Sequence, residues 1–175
     1  MCKQTLYPQL QLEATWVLTN VCSGSTAQCE SVIDKGAIPI FIQLLHQNKP
    51  GLVDQAVWAI GNLSGDCVSH RDKIIQAGAI EHLIKISNST KDKNLIRQVA
   101  WTLSNLCRGV PLPKYELIKN GITQLCLIVK AGVLDKETLI DSLWAISYGC
   151  ETTKSKIQRV VETGVVEKLI YLCAN

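Results

Sequence analysis

Apolar residues along the chain fall into short runs at helical spacing, broken at regular points by Gly, Pro and Ser. The first run, Leu10, Ala14, Val17, Leu18 and Val21, lies on one helical face, and Pro8 suits the first turn of that helix. Ser23-Gly24-Ser25-Thr26 interrupts it, with Ser25 or Thr26 placed to cap the next helix. That helix is short, over about Ala27–Lys35, and a turn at Gly36-Ala37-Ile38-Pro39 leads into a second helix over about Ile40–Gln47. Asn48-Lys49-Pro50-Gly51 reads as a loop, and a longer helix over about Leu52–Ser64 completes the unit. The pattern predicts a short, a medium and a long helix.

That order repeats. Trp16, Trp58, Trp101 and Trp144 stand 42, 43 and 43 residues apart, and Gly36, Gly78, Gly121 and Gly164 repeat the same intervals. Two residue types keeping one period make an internal repeat the organising feature. Glycine between the short and the medium helix suits a corner with left-handed backbone. Three helices and a glycine corner in about 43 residues predict an all-α, right-handed superhelical solenoid of the armadillo type. The predicted division is one domain over 1–175, with the end of a first repeat at 1–24. Repeats follow over 25–66, 67–109 and 110–151, then a partial repeat over 152–175 whose second helix is Val165–Cys173. Each end then lacks a stacking partner, so the expectation is a fragment, or a protein that covers its ends by other means such as self-association.

Composition sharpens this. Only 5% of residues are aromatic, yet every Trp falls on the repeat, which points to a shared surface. A net charge of +3, with Lys and Arg dispersed, argues against a nucleic-acid partner. Eight cysteines occur without an apolar leader; Cys22, Cys107 and Cys150 recur at one repeat position, filled by Ser64 in another unit. Small residues at a helix contact, reduced in a cytosolic or nuclear setting, are expected rather than disulfides. No apolar run reaches 18 residues, so no membrane span is predicted.

The candidate chemistry lies on the long helices. Asn20, Asn62 and Asn105 each follow a Trp by four residues, and Tyr148 follows Trp144 likewise, so each pair shares a helical face. Stacked helices about 8–10 Å apart would set the indoles in one row and the carboxamides in another. A carboxamide both donates and accepts, and so can hold the backbone of any extended peptide. An Asn bonded to a neighbouring backbone is the competing expectation. Such a peptide advances about 3.3 Å per residue, so one rung spans about three residues. Slots between indoles accept the methylene stem of Lys or Arg, and their faces attract the cationic head by about 0.5–2 kcal/mol.

Acids select the sign of the ligand. Asp66 follows Trp58 by eight residues, and Glu151 follows Trp144 by seven. Glu13 and Asp141 each precede a Trp by three, where Gln55 and Gln98 stand in other units. Arg108, near the same groove, could tether a neighbouring acid, hold a peptide carbonyl or close one end of the site. The expected ligand is a short, extended, Lys/Arg-rich peptide.

The segments Ala14–Asn20, Gln55–Asp66, Trp101–Gly109 and Asp141–Tyr148 resemble importin-α, the nuclear-import adaptor family, at its second to fifth armadillo repeats. The resemblance covers essentially the whole chain and includes the Tyr at the fourth rung. It implies a major binding site for nuclear localisation signals, with Trp16, Trp58, Trp101 and Trp144 flanking basic side chains. Asn20, Asn62 and Asn105 would hold the peptide backbone, with Gln55 a further polar contact. Asp66 and the Gly24 carbonyl would take the most discriminating lysine, Cys29 standing near that pocket where the family usually has Thr. Glu151 stands where the family tends to have Asp. The resemblance also implies residence in cytoplasm and nucleus. The family's importin-β-binding segment and later repeats are not in this sequence, so an importin-β partner is expected only if that segment exists elsewhere.

Enzyme chemistry is not expected. There is no G-x-S-x-G, P-loop or dinucleotide glycine pattern, and nothing pairs a Cys with an orienting His and acid. His46, His70 and His82 are not expected to form a ligand cluster with the cysteines, so neither metal nor cofactor is predicted. The rival to importin-α is another armadillo scaffold, such as a catenin-like protein, or a truncated or engineered basic-peptide binder without transport. A Trp/Asn ladder with Asp66 favours cationic ligands over the acidic partners of catenin-like grooves.

Overall fold

The computed structural model describes residues 7–150 and 153–174. Among them are eleven α-helices and no strand: α1 (Pro8–Val21), α2 (Thr26–Asp34), α3 (Ala37–Leu44), α4 (Pro50–Asp66), α5 (Val68–Gln76), α6 (Ala79–Ser89), α7 (Lys93–Leu106), α8 (Tyr115–Ala131), α9 (Lys136–Gly149), α10 (Lys154–Glu162) and α11 (Val166–Ala174). The helices α1, α4, α7 and α9 pack in succession, each against the next, and the remaining helices pack beside them. Phe41, Leu63, Leu83, Leu103 and Leu125 are fully buried, so the core runs along the stack through successive repeats. The described cysteines are all free thiols, and burial pushes Cys22 and Cys107 up to about 12.

Caps fix several of these ends. Gln28 Oε1 accepts from the Ser25 backbone N–H at 2.7 Å at the start of α2, and Asp92 and Asp135 accept from backbone N–H groups at the starts of α7 and α9. Gly36, Gly78 and Gly164 turn the corners at φ 79°, 82° and 73°, backbone that a Cβ disfavours.

Three expectations change. Pro50-Gly51 is not loop but the first turn of α4, because proline's missing N–H has no partner to lose there. Gly121 is not a corner: α8 runs through it, so the third complete unit has two helices rather than three. Ile118, Ile122, Leu125, Cys126 and Val129 form one buried stripe along α8, and its burial outweighs the roughly 1 kcal/mol that a helical glycine costs. A Cβ on Gly121 would lie 3.4 Å from Ile80 and 3.5 Å from Cys107, so this glycine marks close packing. Third, of the predicted apolar stripe of α1 only Leu18 and Val21 pack against the core. Thr15 and Thr19 are buried, whereas Leu10 and Val17 are exposed. The Thr19 hydroxyl lies 2.9 Å from the Thr15 carbonyl and 3.2 Å from the Gln55 carbonyl, which fits it to the seam with α4.

Candidate functional site: the seam of the long helices

The successively packed helices α1, α4, α7 and α9 each carry one tryptophan. Trp16, Trp58 and Trp144 are 52%, 46% and 59% exposed, far outside the core, while Trp101 is half-buried. Gly61 accounts for the difference. A Cβ there would stand 2.2 Å from Trp101 Cζ3, so the missing side chain is the space the indole occupies.

The asparagines divide by position. Asn62 Nδ2 donates to the Thr19 carbonyl at 3.2 Å, and Asn105 Nδ2 donates to the Gly61 carbonyl at 3.1 Å. Both therefore bridge one long helix to the preceding one, the structural role that competes with ligand binding. Asn105 is buried, yet its Oδ1 has no protein partner, and the same holds for Gln55 Oε1 and Gln98 Oε1. A buried acceptor without a donor costs about 1–3 kcal/mol. Asn20 is exposed on α1, and Tyr148 lies against Trp144 with ring centroids 6.4 Å apart.

A cleft of about 280 Å³ gathers Gly24, Asn62, Asp66, Trp101, Asn105 and Arg108, six of the residues singled out from the sequence, from three successive repeats. An adjoining cleft of about 340 Å³ adds Tyr148, with Ser64, Cys67 and Arg71. Arg108 contacts Asp141 across 3.7 Å, so of its possible partners the neighbouring acid is the one it meets. Glu13 is exposed and bonded to Gln9, and Glu151 lies outside the described residues. Trp16, Asn20, Gln55, Trp58, Asp141 and Trp144 line neither of these two clefts.

Cys29 does not face the cleft. It is fully buried, its thiol donates to the Cys22 carbonyl at 3.3 Å, and burial pushes its pKa up. The position shares the inner face of α2 with Val32. Thr26 stands at Asp66 instead, its hydroxyl donating to Oδ1 at 2.9 Å. The second carboxylate oxygen, Oδ2, is 2.8 Å from Nδ1 of the fully buried His70, whose Nε2 is 2.5 Å from Glu30 Oε2. Lys73 pairs with Glu30 at 3.1 Å, and the His70 and Lys73 hydrogen bonds hold the Glu30 carboxyl below its usual range. The histidines are thus not all remote from cysteine: ligand atoms of Asp66, Cys67 and His70 lie within 4.8 Å of one another, contrary to expectation.

Thr26, His70 and Arg71 were not legible as site residues. Arg71 is fully buried, donates to the Arg108 and Pro111 carbonyls at 2.7 and 3.0 Å, and pairs with Asp72. It fixes the segment that carries Arg108. These contacts bridge 37–40 residues between single-copy positions, so no period announces them.

The Armadillo/beta-catenin-like repeat family model matches residues 25–65 and 67–108. Importin subunit alpha-2 of Arabidopsis thaliana is 43% identical over 91 residues, 52% of this chain and 17% of that protein. Importin subunit alpha-1b of Oryza sativa subsp. japonica is 40% identical over 91 residues, and probable importin subunit alpha-A of Dictyostelium discoideum is 38% identical over 86. The chain thus spans less than a fifth of the length of these curated relatives. Among solved structures, a designed armadillo repeat protein in complex with the peptide (KR)4 superposes with a TM-score of 0.80 at 24% identity, over 97% of this chain and 71% of that one. A computationally designed armadillo repeat protein for modular peptide recognition gives 0.81 at 22%, over 95% and 73%. The matched repeats and the superposed structures agree on an all-α armadillo-repeat solenoid fold, and about half of the chain is similar in sequence to importin α subunits.

Proposed function

We propose that the chain is a peptide-binding module of a nuclear-import adaptor, taking Lys/Arg-rich nuclear localisation signals in extended conformation along the seam of α1, α4, α7 and α9. The observation that carries this reading is the cleft that Gly24, Asn62, Asp66, Trp101, Asn105 and Arg108 form from three successive repeats, with Trp16, Trp58 and Trp144 exposed on the same stack of helices. An extended strand crossing the seam offers backbone N–H and C=O groups to the carboxamides of Asn20, which is exposed, and Asn62, which is half-buried. Between rungs, Trp16, Trp58, Trp101 and Trp144 take the stems of basic side chains, and their faces draw the charged heads. Asp66, beside Gly24 in the cleft, supplies the negative charge that favours lysine at one position. Asp141 contributes less, because Arg108 already offsets it.

Two likenesses support the choice of a cationic peptide. The curated relatives are importin α subunits, and the designed protein of like fold was solved with a Lys/Arg peptide. Residence in cytoplasm and nucleus, and coupling to importin-β through another segment, belong to the same proposal.

Fluorescence anisotropy with a labelled lysine-rich signal peptide tests it. Wild type should bind, more weakly as salt rises, and Trp58→Ala should bind about tenfold more weakly, on the order of the 1.4 kcal/mol expected for one cation–π slot. Equal binding by wild type and Trp58→Ala at low salt would sink the proposal.

A further inference from the structure

The link between α4 and α5 is a single residue. Asp66 ends α4, Cys67 is extended at φ −152° and ψ 163°, and α5 begins at Val68. His70 is therefore one turn into α5, and a carboxylate, a thiol and an imidazole converge with ligand atoms within 4.8 Å of one another. We propose that Asp66, Cys67 and His70 form a three-ligand site for a borderline divalent cation of the zinc class.

The donor set is one N, one S and one O, which suits Zn²⁺ or Co²⁺ and is too soft for Mg²⁺ or Ca²⁺. Two ligands each about 2.1 Å from a tetrahedral ion stand about 3.4 Å apart. The Asp66 Oδ2 to His70 Nδ1 separation of 2.8 Å therefore has to open by only about half an ångström. The outer contacts are already those of a metal site. Glu30 Oε2 meets the far nitrogen of His70 at 2.5 Å, fixing the ring so that Nδ1 faces Asp66. The Thr26 hydroxyl occupies Asp66 Oδ1, so Oδ2, which here meets His70 Nδ1, is the oxygen a metal would take. His70 is fully buried and the Asp66 side chain 12% exposed, while Cys67 is half-buried, so an ion has a way in beside the thiol. A thiolate and a carboxylate cancel the charge of a divalent ion, which suits a site this enclosed. Cys29 stays out of the set, its thiol bonded to the Cys22 carbonyl, so the fourth position is left to solvent.

An ion on Oδ2 neutralises Asp66, so metal and lysine compete for one carboxylate. This coupling rests on the peptide-binding function proposed for the cleft.

Titration of the full chain with Co²⁺, followed by absorption, tests the site directly. The expected result is a thiolate-to-cobalt charge-transfer band with tetrahedral d–d bands, saturating at one equivalent and bleached by Zn²⁺. Cys67→Ser should abolish the charge-transfer band, while Cys173→Ser should keep it. Glu30→Gln should weaken cobalt binding at least about tenfold. Absence of the band in wild type, or an unchanged band in Cys67→Ser, overturns the proposal. Cys67 lies in the helix link, so circular dichroism of Cys67→Ser verifies that the fold is kept where a buried His70 substitution would not. A lysine-rich peptide then reads the coupling: one equivalent of Zn²⁺ should weaken its binding to wild type, EDTA should restore it, and Cys67→Ser should be indifferent. A cobalt band without any peptide binding keeps the metal site and removes the peptide reading. Peptide binding without a cobalt band does the reverse.

Discussion

The stretch from α5 to α7 and the stretch holding α8 and α9 occupy successive places in the same stack, and they solve the same packing problem differently. In the first, Gly78 breaks the chain into two helices at φ 82°, Trp101 is half-buried and Asn105 is locked to the Gly61 carbonyl. In the second, Gly121 is helical, Trp144 is 59% exposed and Tyr148 replaces the bridging amide. The difference lies mostly in what each long helix is given to sit on. Forty residues before Trp101 stands Gly61, which leaves a hollow; forty before Trp144 stands Ser104, buried and with a side chain of its own. A rung of the seam is thus set by the preceding repeat as much as by its own tryptophan.

Filling the hollow should give the largest effect. Gly61→Ser places atoms where a Cβ alone would be 2.2 Å from Trp101 and 2.7 Å from Thr102 Oγ1. Overpacking of this kind costs about 1–3 kcal/mol, and the upper end is expected where two neighbours must move. Urea denaturation reports the loss, and a red-shifted tryptophan emission with easier quenching by acrylamide would show Trp101 driven out toward the state of Trp144. Unchanged stability and emission would mean that the hollow is not what separates the two rungs.

Removing the bridge comes next. Asn105→Ala deletes the bond to the Gly61 carbonyl but also the unpartnered Oδ1, so the net cost should be about 1–2 kcal/mol rather than the full penalty for a broken buried bond. Tyr148→Phe, at the matching place in α9, should stay within about 0.5 kcal/mol. Similar losses in the two would erase the distinction between a structural and an open rung.

The two glycines should then respond with opposite signs. Gly78→Ala forces a side chain into left-handed backbone at a cost of about 1 kcal/mol. Gly121→Ala meets only ordinary contacts at 3.4–3.6 Å and gains about 0.5–1 kcal/mol of helix preference. Thermal unfolding of both variants checks the pair, and destabilisation of comparable size in each would put a corner back at Gly121.

Much of this was legible because the chain repeats itself. The tryptophan and glycine periods pointed to the stack of repeats. The glycine period also misled: Ile75, Ala79, Leu83 and Ile86 would continue as a single stripe through Gly78 as readily as Ile118, Ile122, Leu125 and Val129 do through Gly121. Spacing alone does not choose between a corner and a straight helix; packing against α6 and α7 does. Cys29 is a different failure. Its place three before Val32 marks it as inward-facing, and the family comparison drew it toward the cleft against that local signal. Thr26, His70 and Arg71 form contacts that occur once each, and periodic reading is blind to those.

One contrast between the two stretches concerns pH. His82 on α6 corresponds in register to Leu125 on α8, which is fully buried. Burial, helped by the neighbouring His46 and Lys85 against the opposing pull of Glu81, holds the His82 pKa below 6.5. Its ring stands 4.2 Å from that of His46, edge to face, and its Nδ1 is buried without a partner. Between 6.5 and the lower folded value the unfolded chain binds more protons at this site than the folded one, so stability falls as pH drops through that window. Above 6.5 both states are neutral and the site contributes no slope. His82→Leu, which gives α6 the residue α8 already has, should leave the urea midpoint above that pH nearly unaltered in slope and flatten its decline below it. The effect should be the smallest of the four, since the ring is only partly shielded and solvent screens much of the repulsion. If the variant and wild type lose stability in parallel on acidification, the pH response belongs to other groups, and His82 does not distinguish the two stretches.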